Sequence, residues 1–280
     1  PAVVVGGEPP LATLDADVID RADRLRVIAK HGSGLDNVDI EAASRQDIAV
    51  CNTPGANAKS VAEHAIALLF GVRRHLHTAD RHVRSGGWDR PVYTGRELGG
   101  GTLGLFGFGN ISRNTARLAR GIGMDVIAYD PYLPEEAFPA EVTRVETTDA
   151  LFGRSDAVSI HVPLTDQTRH SVSTAELTAL GEEGVLINTA RGGIVDEAAL
   201  LDALEAGAVA GAGLDTFEAE PPGEDHPLYA RDDVLLTPHV GGVTEQALAR
   251  MSQQAAANVR TVYEGELPES TVNPDELSPV

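Results

Sequence analysis

The sequence predicts a parallel α/β fold of two domains, in which a larger domain is inserted into a smaller one. Short β-rich runs alternate with helical patterns along the chain, as in parallel sheets whose strands are joined by helices. In the middle of the chain, strand candidates follow one another with helical patterns between them, and a glycine-rich turn follows the first of these strands. We therefore assign residues 57–242 to the inserted domain, and residues 1–56 with 243–280 to the smaller, discontinuous one.

The smaller domain is predicted to be a flavodoxin-like α/β unit. Its strand candidates are residues 2–5, 26–29 and 48–50, which would form a thin parallel sheet with an exposed edge. We therefore expect an upstream β-α-β portion to be missing from this sequence. After the third strand, Ser60 and Glu63 have the spacing of a capping box, which predicts one long helix ending at Gly86-Gly87.

The inserted domain is predicted to hold six parallel strands, the number in a Rossmann dinucleotide-binding sheet. The strand candidates are residues 102–106, 125–129, 157–162, 185–188, 210–214 and 234–237. A helix is predicted over residues 196–206, closed by Gly207, and a last amphipathic helix over about residues 244–264.

Composition narrows the range of functions. The 42 acidic residues outnumber the 22 basic ones and give a net charge of −20, so the surface repels nucleic acid and anionic membranes. We interpret the excess acid as adaptation to a salty cytoplasm; a high-GC genome would explain the scarcity of lysine but not the acid. The longest apolar run, residues 66–72, is too short to span a bilayer, and the one cysteine, Cys51, cannot form an internal disulfide. We expect a cytoplasmic protein without a metal site.

The glycine-rich turn predicts a dinucleotide site. Gly107 and Gly109 are the first two glycines of the G-x-G-x-x-G pattern, and the small Ser112 stands where the third would be. A turn of this kind brings a pyrophosphate to the N-terminus of the next helix. Asp130 ends the second strand of the block, where a carboxylate binds ribose hydroxyls and repels a 2′-phosphate. Because Pro131 follows it and no arginine is near, NAD is favoured over NADP.

Three polar residues follow later strands of the same block: Arg191, Glu220 and His239. An arginine suits bidentate capture of a carboxylate, and a histidine beside a carboxylate can exchange a proton near neutral pH. Taken singly, each has a structural explanation. Arg191 could form a surface salt bridge, Glu220 could be one more acid on an acidic surface, and His239 could be a hydrogen-bonded histidine at a strand end. Their order at the carboxyl ends of successive strands favours a catalytic set.

At these residues the sequence resembles the D-isomer-specific 2-hydroxyacid dehydrogenase family, with the D-3-phosphoglycerate dehydrogenases among the closer branches. The resemblance covers nearly the whole chain. Its motifs are KHGSGLDNVD (30–39), NTPGAN (52–57), SVAEH (60–64), HVPLT (161–165), NTARGG (188–193) and TPHVGG (237–242).

The resemblance implies a role for each matching residue. It places Arg191, Glu220 and His239 at the catalytic positions, and Ser33, Gly34 and Asn57 near the substrate or the domain crossing. It places the following at the NAD site: Gly107, Gly109, Asn110, Ile111, Asp130, Pro131, His161, Val162, Pro163, Thr168, Thr189, Ala190, Asp215 and Gly241.

The resemblance also implies a reaction, reversible hydride transfer between NAD(H) and a small 2-hydroxy acid, and a homodimer formed through the long helix and the Trp88 region. Phosphoglycerate dehydrogenases often carry an arginine after the first strand, where this sequence has Gly6-Gly7-Glu8, so 3-phosphoglycerate is one candidate among several. Two alternatives stay open: a non-catalytic NAD-sensing scaffold of the same fold, and phosphite oxidation. Formate dehydrogenases pair the histidine with glutamine, which disfavours that activity.

Overall fold

The computed structural model describes residues 1–6 and 13–278, and it has the predicted parallel α/β architecture. By its internal contacts the chain divides into residues 1–60 with 242–280, called unit 1, and residues 61–241, called unit 2. The strands are β1 (Ala2–Val5), β2 (Val27–Lys30), β3 (Ala49–Cys51), β4 (Thr102–Phe106), β5 (Asp125–Tyr129), β6 (Thr143–Arg144), β7 (Ala157–Ile160), β8 (Val185–Asn188), β9 (Gly211–Leu214) and β10 (Val234–Leu236). The α-helices are α1 (Ala16–Ile19), α2 (Ile40–Arg45), α3 (Ala58–Arg73), α4 (Leu76–Arg84), α5 (Asn110–Gly121), α6 (Thr148–Gly153), α7 (Thr174–Leu180), α8 (Glu197–Glu205) and α9 (Glu245–Tyr263).

Unit 1 is built on a three-stranded parallel sheet in the order β1-β2-β3. The central strand β2 is buried along its whole length because both faces of the sheet are covered. Ile28 packs on one face with Ile19 of α1 and Ala42 of α2. On the other face Val27 packs with Val262 of α9. The predicted Gly6-Gly7-Glu8 segment reaches outside the described residues, since the structure describes Gly6 but not positions 7 and 8.

Unit 2 is built on a seven-stranded parallel sheet in the order β10-β9-β8-β7-β4-β5-β6. Helices cover both faces, so β4, β7 and β8 are almost entirely buried. The chain order reverses between β4 and β7, which is the point where open α/β sheets bind ligands at the carboxyl ends of their strands. The prediction of six strands missed β6, because two residues are too few to show an alternating pattern.

Two predicted elements need correction. The long helix after residue 60 is two helices, α3 and α4, because His75 between them has the left-handed backbone angle φ 52°. The predicted capping box is also wrong: Ser60 lies inside the first turn of α3, and its Oγ is 2.8 Å from Oγ1 of Thr244. The strand predicted over 157–162 ends at Ile160, so His161 and Val162 lie in the loop that follows.

The two other predicted helices have the expected ends. Asp196 caps α8 by accepting a hydrogen bond from the backbone N–H of Ala199, and Thr244 caps α9 in the same way through Ala247. Among the described residues, no helix is both long enough and apolar enough to cross a membrane.

Candidate active site

The glycine turn follows β4 at the reversal point of the unit 2 sheet. The N–H of Gly107 donates to the carbonyl of Tyr129 at 2.8 Å, and its φ of +89° is open mainly to glycine. A Cβ at Gly107 would lie 2.9 Å from the carbonyl oxygen of His161, so the tight turn also leaves no space for a side chain. Gly109 is the N-cap of α5, and apart from Gly109 and its two chain neighbours no described residue has a heavy atom within 4 Å of the position its Cβ would take. The helix N-terminus is therefore open to an approaching phosphate.

Ser112 takes the place of the third glycine and supports the turn. Its side chain is fully buried, and its hydroxyl donates to the carbonyl of Gly107 at 2.6 Å. The serine is thus compatible with the turn, and its hydroxyl gives the Gly107 carbonyl a hydrogen-bond partner.

Asp130, at the end of β5, is fixed by the backbone on both of its oxygens. Oδ2 accepts from the N–H of Phe108 at 2.9 Å, inside the glycine turn, and Oδ1 accepts from the N–H of Tyr132 at 3.0 Å. Each carboxylate oxygen can accept a further hydrogen bond, so the group can still bind ribose hydroxyls. Asp130 therefore lies against the glycine turn.

The loop after β7 contains His161, whose ring is neutral at ordinary pH because burial lowers its pKa to about 3. Its Nε2 is 3.0 Å from Oγ of Ser159, while its buried Nδ1 has no partner among the described residues. Farther along, Thr168 donates to the carbonyl of Pro163 at 2.6 Å and so closes the loop on itself. The loop is thus held by internal hydrogen bonds, and Nδ1 of His161 is available to a further polar group.

Arg191 lies just beyond β8 in a loop that the buried Asn188 holds. The Asn188 side-chain amide donates to the carbonyl of Arg191 at 2.9 Å, and its Oδ1 accepts from the N–H of Ala190 at 3.0 Å. A Cβ at Gly192 would fall 1.8 Å from the carbonyl carbon of Phe217. The glycine thus allows the Arg191 loop to pack directly on the backbone of the loop that leads to Glu220.

Glu220 and His239 form a direct pair. Nδ1 of His239 is 2.7 Å from Oε2 of Glu220, and Oε1 of Glu220 accepts from the N–H of Phe217 at 3.1 Å. Both carboxylate oxygens are therefore used to hold the glutamate in place. Because Nδ1 is occupied by the carboxylate, Nε2 is the nitrogen of His239 that remains to exchange a proton.

The contact between His239 and Glu220 shifts the pKa values of both side chains. The hydrogen bond that His239 donates to the Glu220 carboxylate raises the pKa of His239, burial lowers it, the Glu220 charge raises it and the Arg191 charge lowers it; the net result is a raised pKa. Burial by itself would raise the pKa of Glu220, but His239, the Phe217 N–H and the Arg191 charge together lower it below its ordinary value. His239 and Glu220 are therefore held as an ion pair over a widened pH range, with the Arg191 charge acting on both.

The loop that contains His239 is organised around the buried Asp215. Its Oδ1 accepts from Oγ1 of Thr237 at 2.6 Å and from the N–H of Val240 at 2.8 Å, and its Oδ2 accepts from the N–H of Gly241 at 2.7 Å. Burial would raise the pKa of Asp215, but these bonds and one from His64 lower it. Asp215 is therefore an ionised centre of the loop.

The structure brings together most of the predicted residues at the carboxyl edge of the unit 2 sheet. Ser33, Gly34 and Asn57 lie in unit 1, where the carbonyl of Ser33 accepts from Asn52 at 2.9 Å. Their roles stay predictions from the resemblance. Sequence reasoning missed three residues as individual site members: Asn188, Thr237 and His64. All three lie inside the quoted motifs, but only the structure shows what they hold.

Two unpartnered atoms make the edge suitable for a dinucleotide. The hydroxyl of Thr189 is buried without a hydrogen-bond partner among the described residues, as is Nδ1 of His161. Buried polar atoms are seldom left unpaired, so both are suited to contact a bound polar group. Together with the open Gly109 and the aligned Asp130, they fit NAD. Within residues 1–6 and 13–278, no cluster of three His, Cys, Asp or Glu side chains could hold a metal ion.

Comparison with known proteins gives the same assignment. Residues 66–241 match a family model described as D-isomer specific 2-hydroxyacid dehydrogenase, NAD binding domain. The chain is 43% identical to the hydroxypyruvate reductase of Thermotoga maritima over 238 residues, which cover 84% of this chain and 77% of that protein. It is 41% identical to the D-3-phosphoglycerate dehydrogenase of Methanocaldococcus jannaschii over 260 residues, 92% of this chain but only 49% of that protein, about half its length. Among solved structures, a glyoxylate reductase from Paecilomyes thermophila has a TM-score of 0.89 at 33% identity, covering 98% of this chain and 84% of that one.

Proposed function

The chain belongs to the D-isomer specific 2-hydroxyacid dehydrogenase family, and from that premise we propose that it transfers a hydride reversibly between NAD(H) and a small 2-hydroxy or 2-oxo acid. The observation that carries the proposal is the 2.7 Å contact between His239 and Glu220, with the charge of Arg191 acting on both. A non-catalytic scaffold would not need a histidine that is held ready to give and take a proton.

His239 is the proposed general acid and base. In oxidation, Nε2 of His239 takes the proton of the substrate hydroxyl, and the carboxylate of Glu220 stabilises the imidazolium that forms. In reduction, the same nitrogen returns the proton to the carbonyl oxygen. The raised pKa of His239 extends the acid form to higher pH than an ordinary histidine would allow.

Arg191 is proposed to bind the substrate's carboxylate or its C2 oxygen. Asn188 fixes the backbone of the loop, while a guanidinium can donate two parallel hydrogen bonds to one carboxylate. The backbone amides of Ser33 and Gly34 are proposed, from the family resemblance, to hold the carboxylate as well.

The dinucleotide is proposed to bind along the carboxyl edge of β4 and its neighbours. Gly107 and Gly109 would admit the pyrophosphate, Asp130 the ribose hydroxyls, and Thr189 a polar group of the nicotinamide end. When bound, NAD supplies the hydride acceptor, or NADH the donor. The Asp130 carboxylate would repel a 2′-phosphate, which favours NAD over NADP.

The substrate is proposed to be a small 2-oxo acid, with hydroxypyruvate, glyoxylate and 3-phosphohydroxypyruvate as the first candidates. The named relatives support this class without choosing within it. The test is oxidation of NADH in concentrated potassium chloride with these three acids and a branched-chain 2-oxo acid. We expect turnover of at least one acid, abolished in His239→Ala and retained in His77→Ala.

Two other results would change the assignment. A folded protein that binds NADH but reduces none of these acids would support the NAD-sensing scaffold, unless it oxidises phosphite with NAD. Phosphite turnover that also needs His239 would favour phosphite dehydrogenase activity.

We also propose a homodimer in the cytoplasm. Apolar side chains of α4 and the segment after it are exposed, with Leu76 54%, Val83 53%, Trp88 77% and Val92 69% accessible. An exposed apolar patch of this kind is typical of a subunit interface. Light scattering should give twice the monomer mass, and Trp88→Glu should shift it to monomer while Tyr132→Glu, also at a highly exposed aromatic residue, should not.

A further inference from the structure

A histidine outside the proposed reaction contacts the loop of His239. His64 lies in the second turn of α3, and its Nε2 is 2.9 Å from Oγ1 of Thr237 and 3.4 Å from Oδ1 of Asp215. Its side chain is 21% exposed. All three residues belong to unit 2.

The hydrogen-bond directions in this group follow from its chemistry. Asp215 is ionised and can only accept, so the Thr237 hydroxyl uses its one proton on Oδ1 at 2.6 Å. Oγ1 of Thr237 can then only accept from His64. The Nε2 atom of His64 therefore carries a proton and donates it, which gives a directed chain from His64 through Thr237 to Asp215.

The hydrogen bonds that begin at His64 end on the backbone around His239. The Asp215 carboxylate accepts from the N–H of Val240 and of Gly241, and the carbonyl of Asp215 accepts from the N–H of His239 at 2.8 Å. His239 itself has the left-handed backbone angle φ 53°, which a residue with a side chain seldom adopts. The loop therefore depends on Asp215 to hold a strained conformation.

Space around the group is limited. A Cβ at Gly241 would lie 2.9 Å from Oδ2 of Asp215 and 3.4 Å from Cδ2 of His64. The ring of His64 therefore lies close to Gly241 as well as to Thr237 and Asp215.

We propose that His64 is a positioning residue, which orients Thr237 and Asp215 and thereby fixes the loop that presents His239. The inference rests on the proposed role of His239 as acid and base. His64 touches neither substrate nor cofactor in this scheme; it acts through the two side chains between them. Simple packing of an aromatic ring is the competing explanation, and the two differ in what a non-donating side chain should do.

The test compares His64→Leu and His64→Phe, which fill space without donating, with His64→Gln, which retains a donor. We expect kcat on the preferred 2-oxo acid to fall about 10- to 100-fold in His64→Leu and His64→Phe, since small misplacements of a catalytic group have effects of this size. His64→Gln should recover most of the loss, and KM for NADH should stay within about twofold in all three. His77→Leu, on α4, is the matched control.

A second readout separates this inference from the proposed function. NMR titration of His239 in the protein without NADH, assigned with His239→Asn, measures its pKa where Glu220, Arg191 and Asp215 are the charged groups acting on it. We expect the pKa of His239 to fall towards its ordinary value in His64→Leu and His64→Phe and to stay raised in His64→Gln. This holds even if no 2-oxo acid is turned over.

Two outcomes would overturn the inference. If His64→Phe has wild-type kcat and an unchanged His239 titration, the loop does not depend on the donor. If His64→Gln loses as much as His64→Phe, the ring itself is needed and the role is packing. Should His64→Leu fail to fold, the comparison of His64→Phe with His64→Gln still decides.

Discussion

Nδ1 of His239 and Oε2 of Glu220 lie 2.7 Å apart, although the two residues are 19 positions apart in the chain. The loop after β9 brings the glutamate to the histidine that follows β10, and the Phe217 N–H holds the other carboxylate oxygen. This contact fixes which imidazole nitrogen is left for the substrate, and the first prediction depends on it.

Glu220→Gln should move the pH dependence of reduction. The carboxylate raises the pKa of His239, so the protonated acid persists to higher pH in the wild type. Reduction needs this acid and should therefore fall as pH rises through the raised pKa; without the carboxylate the fall should begin at lower pH. The measurement is kcat/KM against pH, with Glu224→Gln in the same loop as control. If kcat/KM falls at the same pH in Glu220→Gln as in the wild type, the assignment of His239 as the acid is contradicted.

Arg191→Lys should weaken substrate binding more than cofactor binding. A lysine keeps the charge but loses the two parallel donors of the guanidinium. We expect kcat/KM for the 2-oxo acid to fall about 10- to 100-fold, in line with the loss of one charged hydrogen bond. The dissociation constant for NADH should not change, and Arg154→Lys on the exposed end of α6 should behave as wild type. Equal losses for acid and NADH would place Arg191 outside the substrate site.

Gly192→Ala should destabilise unit 2 and reduce activity together. The added methyl would meet the Phe217 backbone at 1.8 Å, and a backbone cannot step aside as a flexible side chain can. Overpacking of this kind costs about 1–3 kcal/mol, which lowers Tm by about 2–12 °C at this chain length. Gly153→Ala is the control, because the nearest described atom to its Cβ would be the Ala179 carbonyl oxygen at 4.0 Å. Similar Tm values for the two variants would show that the close approach is not needed.

Asp130→Ser should narrow the preference for NADH over NADPH. It removes the charge that repels a 2′-phosphate and also the acceptor of the Phe108 N–H, so KM for NADH should rise while KM for NADPH falls or holds. Asp125→Asn, at the exposed start of the same strand, controls for the loss of one negative charge. A wild type that uses both cofactors equally would contradict the assigned role of Asp130.

Potassium chloride should raise the thermal stability of the protein. A net charge of −20 repels itself, and the Debye length shrinks from about 10 Å at 0.1 M salt to about 3 Å at 1 M. Tm should therefore rise steeply over this range and more slowly above it. Sucrose at matched osmolality is the control; if it produces the same rise, charge screening is not the cause.

Much of the fold could be predicted because its signals are local. The strand before Gly107, the helix starts at Asp196 and Thr244 and the acid at Asp130 are each defined by a few neighbouring residues. Strand β6 and the break at His75 could not be predicted, since the first is too short and the second depends on a backbone angle that histidine seldom adopts.

The candidate site also has a part that the sequence could predict and a part that it could not. Arg191, Glu220 and His239 stand out in the sequence because polar residues after buried strands are conspicuous. The hydrogen bonds by which Asp215 and His64 hold the His239 loop could not be predicted, because they depend on how that loop folds around the two side chains. The loops themselves were predicted by their position; their hydrogen bonds were not.

The seven-stranded sheet of unit 2 also has a consequence for how the protein stays dispersed. Its two outermost strands, β6 and β10, are only two and three residues long. An outer strand offers unpaired backbone N–H and C=O groups on which another chain can add a strand, and shortness is one of the ways in which proteins limit this. The inner strands of this sheet are almost wholly apolar, but its edge strands are too short to template aggregation. This protection remains where high salt has screened the repulsion between molecules.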